Sequence, residues 1–298
     1  MFMSRVIESI LIPTDDSAGA FAGAKLGVAL ASRMGADVHV LSVVELREEL
    51  AEFEDEEPVS RFEADAEEAV EAVAELASDY DPDLQVRTAV KRGTPFQAIR
   101  EYATRREIDV IAMGTKGQTG LSRVLLGSVA ENVLRTARKP VLVVPPSAGV
   151  ARIDDATLDR LLLPTDGSHG VEIATEWGVA LATRLGSSIN ALYALDQGPF
   201  SGPFESERVL DALEGRGKKA LDVIRERGKE AGVEVSGTIE TGSPANVILE
   251  AAANADLIVM GTHGRTGIGQ WFLGSVTENV VRQSDVPVFC VPVSAEPP

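Results

Sequence analysis

Residues 109–117 read Asp109-Val-Ile-Ala-Met-Gly-Thr-Lys-Gly117, and after nine further residues comes Gly127-Ser128-Val129. Val110-Ile-Ala-Met113 is apolar throughout, as a strand covered on both faces of a sheet must be. Gly114 and Gly117 follow it, and glycine lets a backbone turn at positive φ and come close to a ligand. Gly127-Ser128-Val129 then opens a helical stretch. The first N–H groups of a helix have no intrahelical partners, and with the positive end of the helix dipole they form an anion site. A plainer reading stands beside this one, because glycine and serine are also common in ordinary strand-to-helix turns and caps.

The same arrangement occurs again. Asp256-Leu-Ile-Val-Met-Gly-Thr262 repeats the first run at an offset of 147, and Gly264 is followed, after nine residues, by Gly274-Ser275-Val276. Three other segments repeat in the same order. Ile10-Leu-Ile-Pro13-Thr14-Asp15-Asp16-Ser17 returns as Leu161-Leu-Leu-Pro164-Thr165-Asp166-Gly167-Ser168, offset 151, and Gly93-Thr-Pro95 as Gly242-Ser-Pro244, offset 149. Gly127-Ser-Val-Ala-Glu-Asn-Val133 returns as Gly274-Ser-Val-Thr-Glu-Asn-Val280, offset 147. Four matches in register mean duplication. The 298 residues therefore divide into two domains of ordinary size, 1–146 and 159–298, with 147–158 as linker.

Each half alternates strand and helix. Strands are predicted near 6–13, 37–44, 85–91, 108–113 and 140–145, then near 159–164, 188–195, 233–240, 255–260 and 286–291. Helical stretches fall near 17–34, 59–79, 95–106 and 128–138; within 59–79, Phe62, Ala66, Val70, Val73 and Leu76 share one face. This alternation predicts an α/β fold of two tandem open-sheet domains, each a parallel sheet with helices on both faces. In such sheets ligands bind beyond the carboxyl ends of the strands, where strand order reverses. Asp15 and Asp166 end the first strand of each half. A carboxylate there can hydrogen-bond a base or ribose, or serve the turn beside the cap residues Ser17 and Ser168.

Composition narrows the function classes. The formal net charge is -18, from 46 acidic against 28 basic residues, and only 7 of the basic residues are lysines. A nucleic-acid partner requires a basic face and is not expected. The acidic, lysine-poor surface reads either as a solubilising surface or as a halophilic type that stays hydrated in high salt, where self-repulsion is screened. Part of the acid lies in one run, Glu45 to Glu57. No apolar stretch approaches the roughly 18 residues of a membrane span, and Met1 to Asp16 does not read as a signal peptide, so a cytoplasmic location is expected. Cys290 is the single cysteine and lies in an apolar strand, where a buried structural thiol is expected. His39, His169 and His263 form no metal-ligand cluster. His39 reads as structural and His263 lies in the second glycine loop. Trp271 and Phe272 read as packing residues, and Gly198-Pro-Phe-Ser-Gly-Pro203 as a turn-rich segment able to form a lid.

These residues resemble the universal stress protein family over nearly the whole chain. The strongest part is Gly-x2-Gly-x9-Gly-Ser, the mark of that family's ATP-binding branch; Pro-Thr-Asp at the end of strand one matches as well. The resemblance implies a Rossmann-like, adenine nucleotide alpha hydrolase-like domain with five parallel strands. It implies binding of ATP or another adenine nucleotide, with Mg2+ accompanying the phosphates. Asp15 and Asp166 would contact the adenosine moiety, and Pro13, Thr14, Pro164 and Thr165 beside them are further nucleotide-binding residues that the resemblance implies. Val43 and Ala194 would meet adenine through their backbone. Met113 and Gly114, with Met260 and Gly261, would line the ribose. Gly117, Gly127, Ser128 and Val129, with Gly264, Gly274, Ser275 and Val276, would hold phosphates. The fifth strands would pair, so that the tandem chain mimics a dimer, and a homodimer of chains and an unknown protein partner are further expectations.

The halves depart from each other at two places. Asp16 stands where the second half has Gly167, and Lys116 stands where it has His263 followed by Arg265. There is no Gly-x4-Gly-Lys-Ser/Thr loop and no evident catalytic set. A nucleotide-binding stress-response regulator is therefore the leading reading, with no catalytic residue assigned. The alternatives are a slow ATPase or nucleotidyl-transfer enzyme, a scaffold that binds no nucleotide, and salt-dependent oligomerisation through exposed edges.

Overall fold

The computed structural model describes residues 6–45, 57–116, 126–148, 153, 156–196, 207–263 and 273–298. The chain splits into two compact units, Met1–Ala156 and Thr157–Pro298. In the first, the elements run β1 (Ser9–Pro13), α1 (Ala18–Met34), β2 (Asp37–Val44), α2 (Glu57–Tyr80), β3 (Val86–Arg92), α3 (Pro95–Arg105), β4 (Val110–Gly114), α4 (Ser128–Thr136) and β5 (Val141–Val144). In the second they run β6 (Arg160–Thr165), α5 (His169–Leu185), β7 (Ser188–Leu195), α6 (Glu207–Ala231), β8 (Val235–Thr241), α7 (Pro244–Ala252), β9 (Leu257–Gly261), α8 (Ser275–Gln283) and β10 (Val288–Val291). Most predicted boundaries lie within two residues of these.

Both units are α/β with fully parallel pairing. The first orders its strands β3-β2-β1-β4-β5 and the second β8-β7-β6-β9-β10. The chain moves outward from β1 to β3, then returns to the other side of β1 for β4. Right-handed crossovers therefore place α1 and α2 on one face and α3 and α4 on the other. Accordingly α1 packs on α2, and α3 on α4. The reversal lies between β1 and β4, joined at Ile10–Val110 and Leu11–Ile111, and between β6 and β9, joined at Leu161–Leu257 and Leu162–Ile258. The central strands β4 and β9 are buried at every position, as their apolar runs require.

Local signals set the helix ends. Ser17 caps α1 by accepting from the Ala20 N–H at 3.1 Å, and Gly35 ends it in the left-handed region at φ 66°. The buried stripe of α2 is Ala66, Ala69, Val70, Val73 and Ala77. Two predicted face residues differ: Phe62 is 46% exposed and Leu76 is half-buried. A helix of 24 residues spans about 36 Å. The eight residues of β2 span only about 26 Å. The ends of α2 therefore outreach the sheet it covers, and Phe62 lies near one of them. In α6 the buried residues are Gly217, Leu221, Ile224 and Gly228, which match Ala66, Val70, Val73 and Ala77 at the offset of 151.

Cys290 is fully buried, and burial pushes its thiol far up from the usual range. His39 is also buried; its Nδ1 lies 3.0 Å from the Tyr102 hydroxyl, with the rings edge to face. Burial, then the charge of Arg87, lower its pKa, so the ring is held neutral. Both residues are structural. Among the described residues no helix is long and apolar enough to cross a membrane.

Candidate functional site

The crevice in each unit lies at the carboxyl ends of the first and fourth strands, where strand order reverses. In the first unit Thr14 is buried, and its N–H donates to Leu41 O at 2.9 Å, which holds the turn against β2. Asp15 then folds back on the start of α1. Its Oδ1 accepts from Ser17 N at 3.2 Å and from Ser17 Oγ at 2.5 Å. Asp16 takes a left-handed φ of 59°, a conformation that costs a residue with a Cβ some strain. Gly167 holds the matching position at φ 71° without that cost. In the second unit Asp166 Oδ1 accepts from Ser168 N at 2.9 Å. The Ser168 hydroxyl oxygen is buried and has no hydrogen-bond partner. One of the two readings of these aspartates is thus realised in both units, since each serves its turn. Asp15 is exposed and Asp166 half-buried.

The other wall begins where β4 and β9 end. Met113 and Met260 are buried below it, at 6% and 5% exposure, as are Gly114 and Gly261. Helix α1 comes very close to Gly114. A Cβ at Gly114 would lie 2.0 Å from Gly19 O, and one at Gly19 would lie 2.1 Å from Lys116 O. Glycine is therefore required on both sides of this contact. Its sequence signal is Gly19-x3-Gly23-x3-Gly27, one face of α1, which the reading of the loop alone missed.

Gly127 and Gly274 are the N-cap residues of α4 and α8, and neither helix start has a side-chain cap. The N–H of Gly127 donates to Thr115 O at 2.8 Å, and that of Gly274 to Thr262 O at 2.8 Å. These bonds tie each helix start to the end of the preceding strand. They also take both glycine N–H groups away from any ligand. The donors that remain are those of Ser128, Val129 and Ala130, and of Ser275, Val276 and Thr277, which as first-turn N–H groups lack helical acceptors. Ser128 and Ser275 are exposed. Val43 and Ala194, near the ends of β2 and β7, are half-buried. Pro13 and Pro164 are buried at the ends of β1 and β6, while Thr165 is half-buried.

His263 differs from its counterpart Lys116. Its Nδ1 lies 2.9 Å from Thr262 Oγ1, and its Nε2 is buried without a hydrogen-bond partner. Thr277 Oγ1 donates to Gly261 O at 2.8 Å, a bond that Ala130 cannot make in the first unit. Several predicted positions lie outside the described residues: Gly117, Gly264, Arg265, Trp271, Phe272, the segment 198–203 and most of the acidic run 45–57. No group of three or more His, Cys, Asp or Glu able to hold a metal ion occurs among the described residues.

A sequence profile of the universal stress protein family matches residues 7–145 and 157–292. A universal stress protein of Mycolicibacterium smegmatis is 31% identical over 235 residues, covering 77% of this chain and 77% of its own length. One from Methanocaldococcus jannaschii is 36% identical over 137 residues, 44% of this chain and 81% of its own. The crystal structure of a universal stress protein from Archaeoglobus fulgidus superposes with a TM-score of 0.72 at 25% identity, covering 95% of this chain and 96% of that one. With both halves matched by the profile and a whole-length relative of the same fold, the chain belongs to the universal stress protein family as a tandem of two of its domains.

Proposed function

We propose that this chain is a regulatory protein that binds ATP or another adenine nucleotide and changes its interactions with occupancy. The observation that carries the reading is the pair of uncapped helix starts, at Ser128 and Ser275, each opposite an aspartate-tipped turn at the point where strand order reverses. First-turn N–H groups without acceptors suit a phosphate. Asp15 and Asp166 suit the adenosine end, with Val43 and Ala194 at the adenine, Met113, Gly114, Met260 and Gly261 at the ribose, and Gly117 and Gly264 in the phosphate loops. Mg2+ would arrive with the triphosphate and be held chiefly by it. Calorimetric titration of the full chain with ATP and Mg2+ is expected to show saturable binding. No heat and no competition at millimolar ATP would overturn the proposal, since even a dissociation constant of about 1 mM corresponds to about -4 kcal/mol.

One observation favours a second reading, slow ATP hydrolysis in the second unit. The buried, unpartnered Nε2 of His263 supplies a group able to bond a phosphate oxygen or a water. Multiple turnovers lost in His263→Ala would support that reading, and intact ATP recovered after long incubation would reject it.

A further inference from the structure

A groove of about 500 Å³ opens between α5 and α6 of the second unit, bordered at one end by the turn Thr165–Ser168. This size falls in the ordinary range for small-ligand sites. Its apolar lining includes Val171, Ile224 and Val223, and Val223 is 48% exposed. Arg216 and Lys219 line the α6 side. Elsewhere on α6, Lys218, Arg225 and Arg227 pair with Glu214, Asp222 and Glu176. Arg216 and Lys219 make no ion pair with a described residue. The two cations lie one helical turn apart on α6, in a chain of net charge -18. The buried Ser168 hydroxyl, which lacks a hydrogen-bond partner, also belongs to this lining.

The first unit shows what duplication alone would leave here. At the offset of 151, Arg216 and Lys219 correspond to Asp65 and Glu68, Val223 to Ala72, and Ser168 to Ser17, whose hydroxyl is bonded to Asp15. The charge of this wall is therefore reversed between the halves while the buried stripe of the helix is kept. Packing constrains only the stripe, so the cations are not required by the core.

We propose that the α5–α6 groove is a binding site for a small anionic amphiphile, an apolar body carrying one carboxylate or similar head. The body lies on Val171, Val223 and Ile224, and the head is held by Arg216 and Lys219 with the Ser168 hydroxyl as a further donor. The carboxylates of Asp166 and Glu172 also line the groove and repel a second or third negative charge, which disfavours polyphosphates. The groove adjoins the proposed nucleotide site and shares Thr165 and Asp166 with it, but amphiphile binding there does not depend on nucleotide binding.

The test uses the full chain and anilinonaphthalene sulfonate, whose fluorescence rises in apolar sites, with decanoate and decanol as competitors. Saturable binding is expected at one site per chain, displaced by decanoate at least tenfold more effectively than by decanol. The pair Arg216→Glu and Lys219→Glu should weaken the probe at least tenfold, and the swap Arg216→Lys with Lys219→Arg should retain it. Val223→Asp should also weaken it at least tenfold. All three positions are exposed, so an unchanged thermal midpoint is expected to accompany each loss. Unsaturable binding, indifference to the charge reversal, or equal displacement by decanol would overturn the proposal. Stoichiometric displacement of the probe by ATP would overturn it too, because the groove would then be part of the nucleotide site. A chain that binds the probe as described but no ATP would instead refute the nucleotide reading and leave this one standing.

Discussion

The Ser17 hydroxyl donates to Asp15 Oδ1 at 2.5 Å while accepting from the Ala20 N–H at 3.1 Å, whereas the corresponding Ser168 hydroxyl has no partner. One serine is thus spent on capping a helix and its duplicate is not. Ser17→Ala is expected to destabilise the first unit by about 1 kcal/mol. Ser168→Ala should change the second by less than about 0.5 kcal/mol. Urea unfolding separates the two, because both tryptophans, Trp177 and Trp271, lie in the second half. Tryptophan fluorescence follows that half alone and far-ultraviolet circular dichroism follows both. Equal shifts for the two variants would refute the assignment.

The contact between α1 and the end of β4 has no room for a side chain. Gly114→Ala would put a Cβ 2.0 Å from Gly19 O and 2.4 Å from Gly19 C, both backbone atoms that cannot rotate away. Helix and strand would have to separate, at a cost of about 1–3 kcal/mol or more. The circular dichroism transition should move to lower urea while the tryptophan transition stays in place.

Acid should weaken the second unit at Asp256. Its Oδ2 accepts from Asp159 N at 3.1 Å and Arg160 N at 2.9 Å, and its Oδ1 pairs with Arg160 Nη2 at 3.0 Å, joining the starts of β6 and β9. Burial pushes the carboxyl up, but the hydrogen bonds and charge of Arg160 and the bond from Asp159 outweigh it, and the net pKa is lowered. The sign follows from the folded pKa lying below the unfolded value of about 3.9. The stabilisation is fully present above that value and is lost as pH falls through the folded pKa. Asp256→Asn is expected to cost about 1–3 kcal/mol near neutral pH. It should also remove this component of the acid dependence, read by tryptophan fluorescence between pH 6 and 2, roughly the window in which carboxylates titrate.

Cys290 should not react with a disulfide reagent in the folded chain. Its side chain is fully buried and its thiol is held protonated well above neutral pH, so neither access nor thiolate is available. One equivalent of thiol should appear only in denaturant. Rapid labelling of the native chain would contradict the burial.

By itself the sequence determined the duplication, the alternation of strand and helix, and the positions of the glycine turns. These follow from local properties: an apolar run such as Val110–Met113, a cap such as Ser17, a stop such as Gly35. The helical face of α2 was legible at Ala66, Val70 and Val73 but not at Phe62. Periodicity records which side of a helix a residue occupies, not where along that helix the sheet ends. Only the tertiary structure decided the strand order that puts β1 beside β4, and with it the two walls of the crevice. It alone set Gly19 against Gly114, turned the Gly127 N–H toward Thr115, and left Arg216 and Lys219 together over an apolar groove. Such contacts join segments that lie far apart in the chain. Whether they close up or leave a cavity depends on the side chains of two elements at once, which no single stretch of sequence contains.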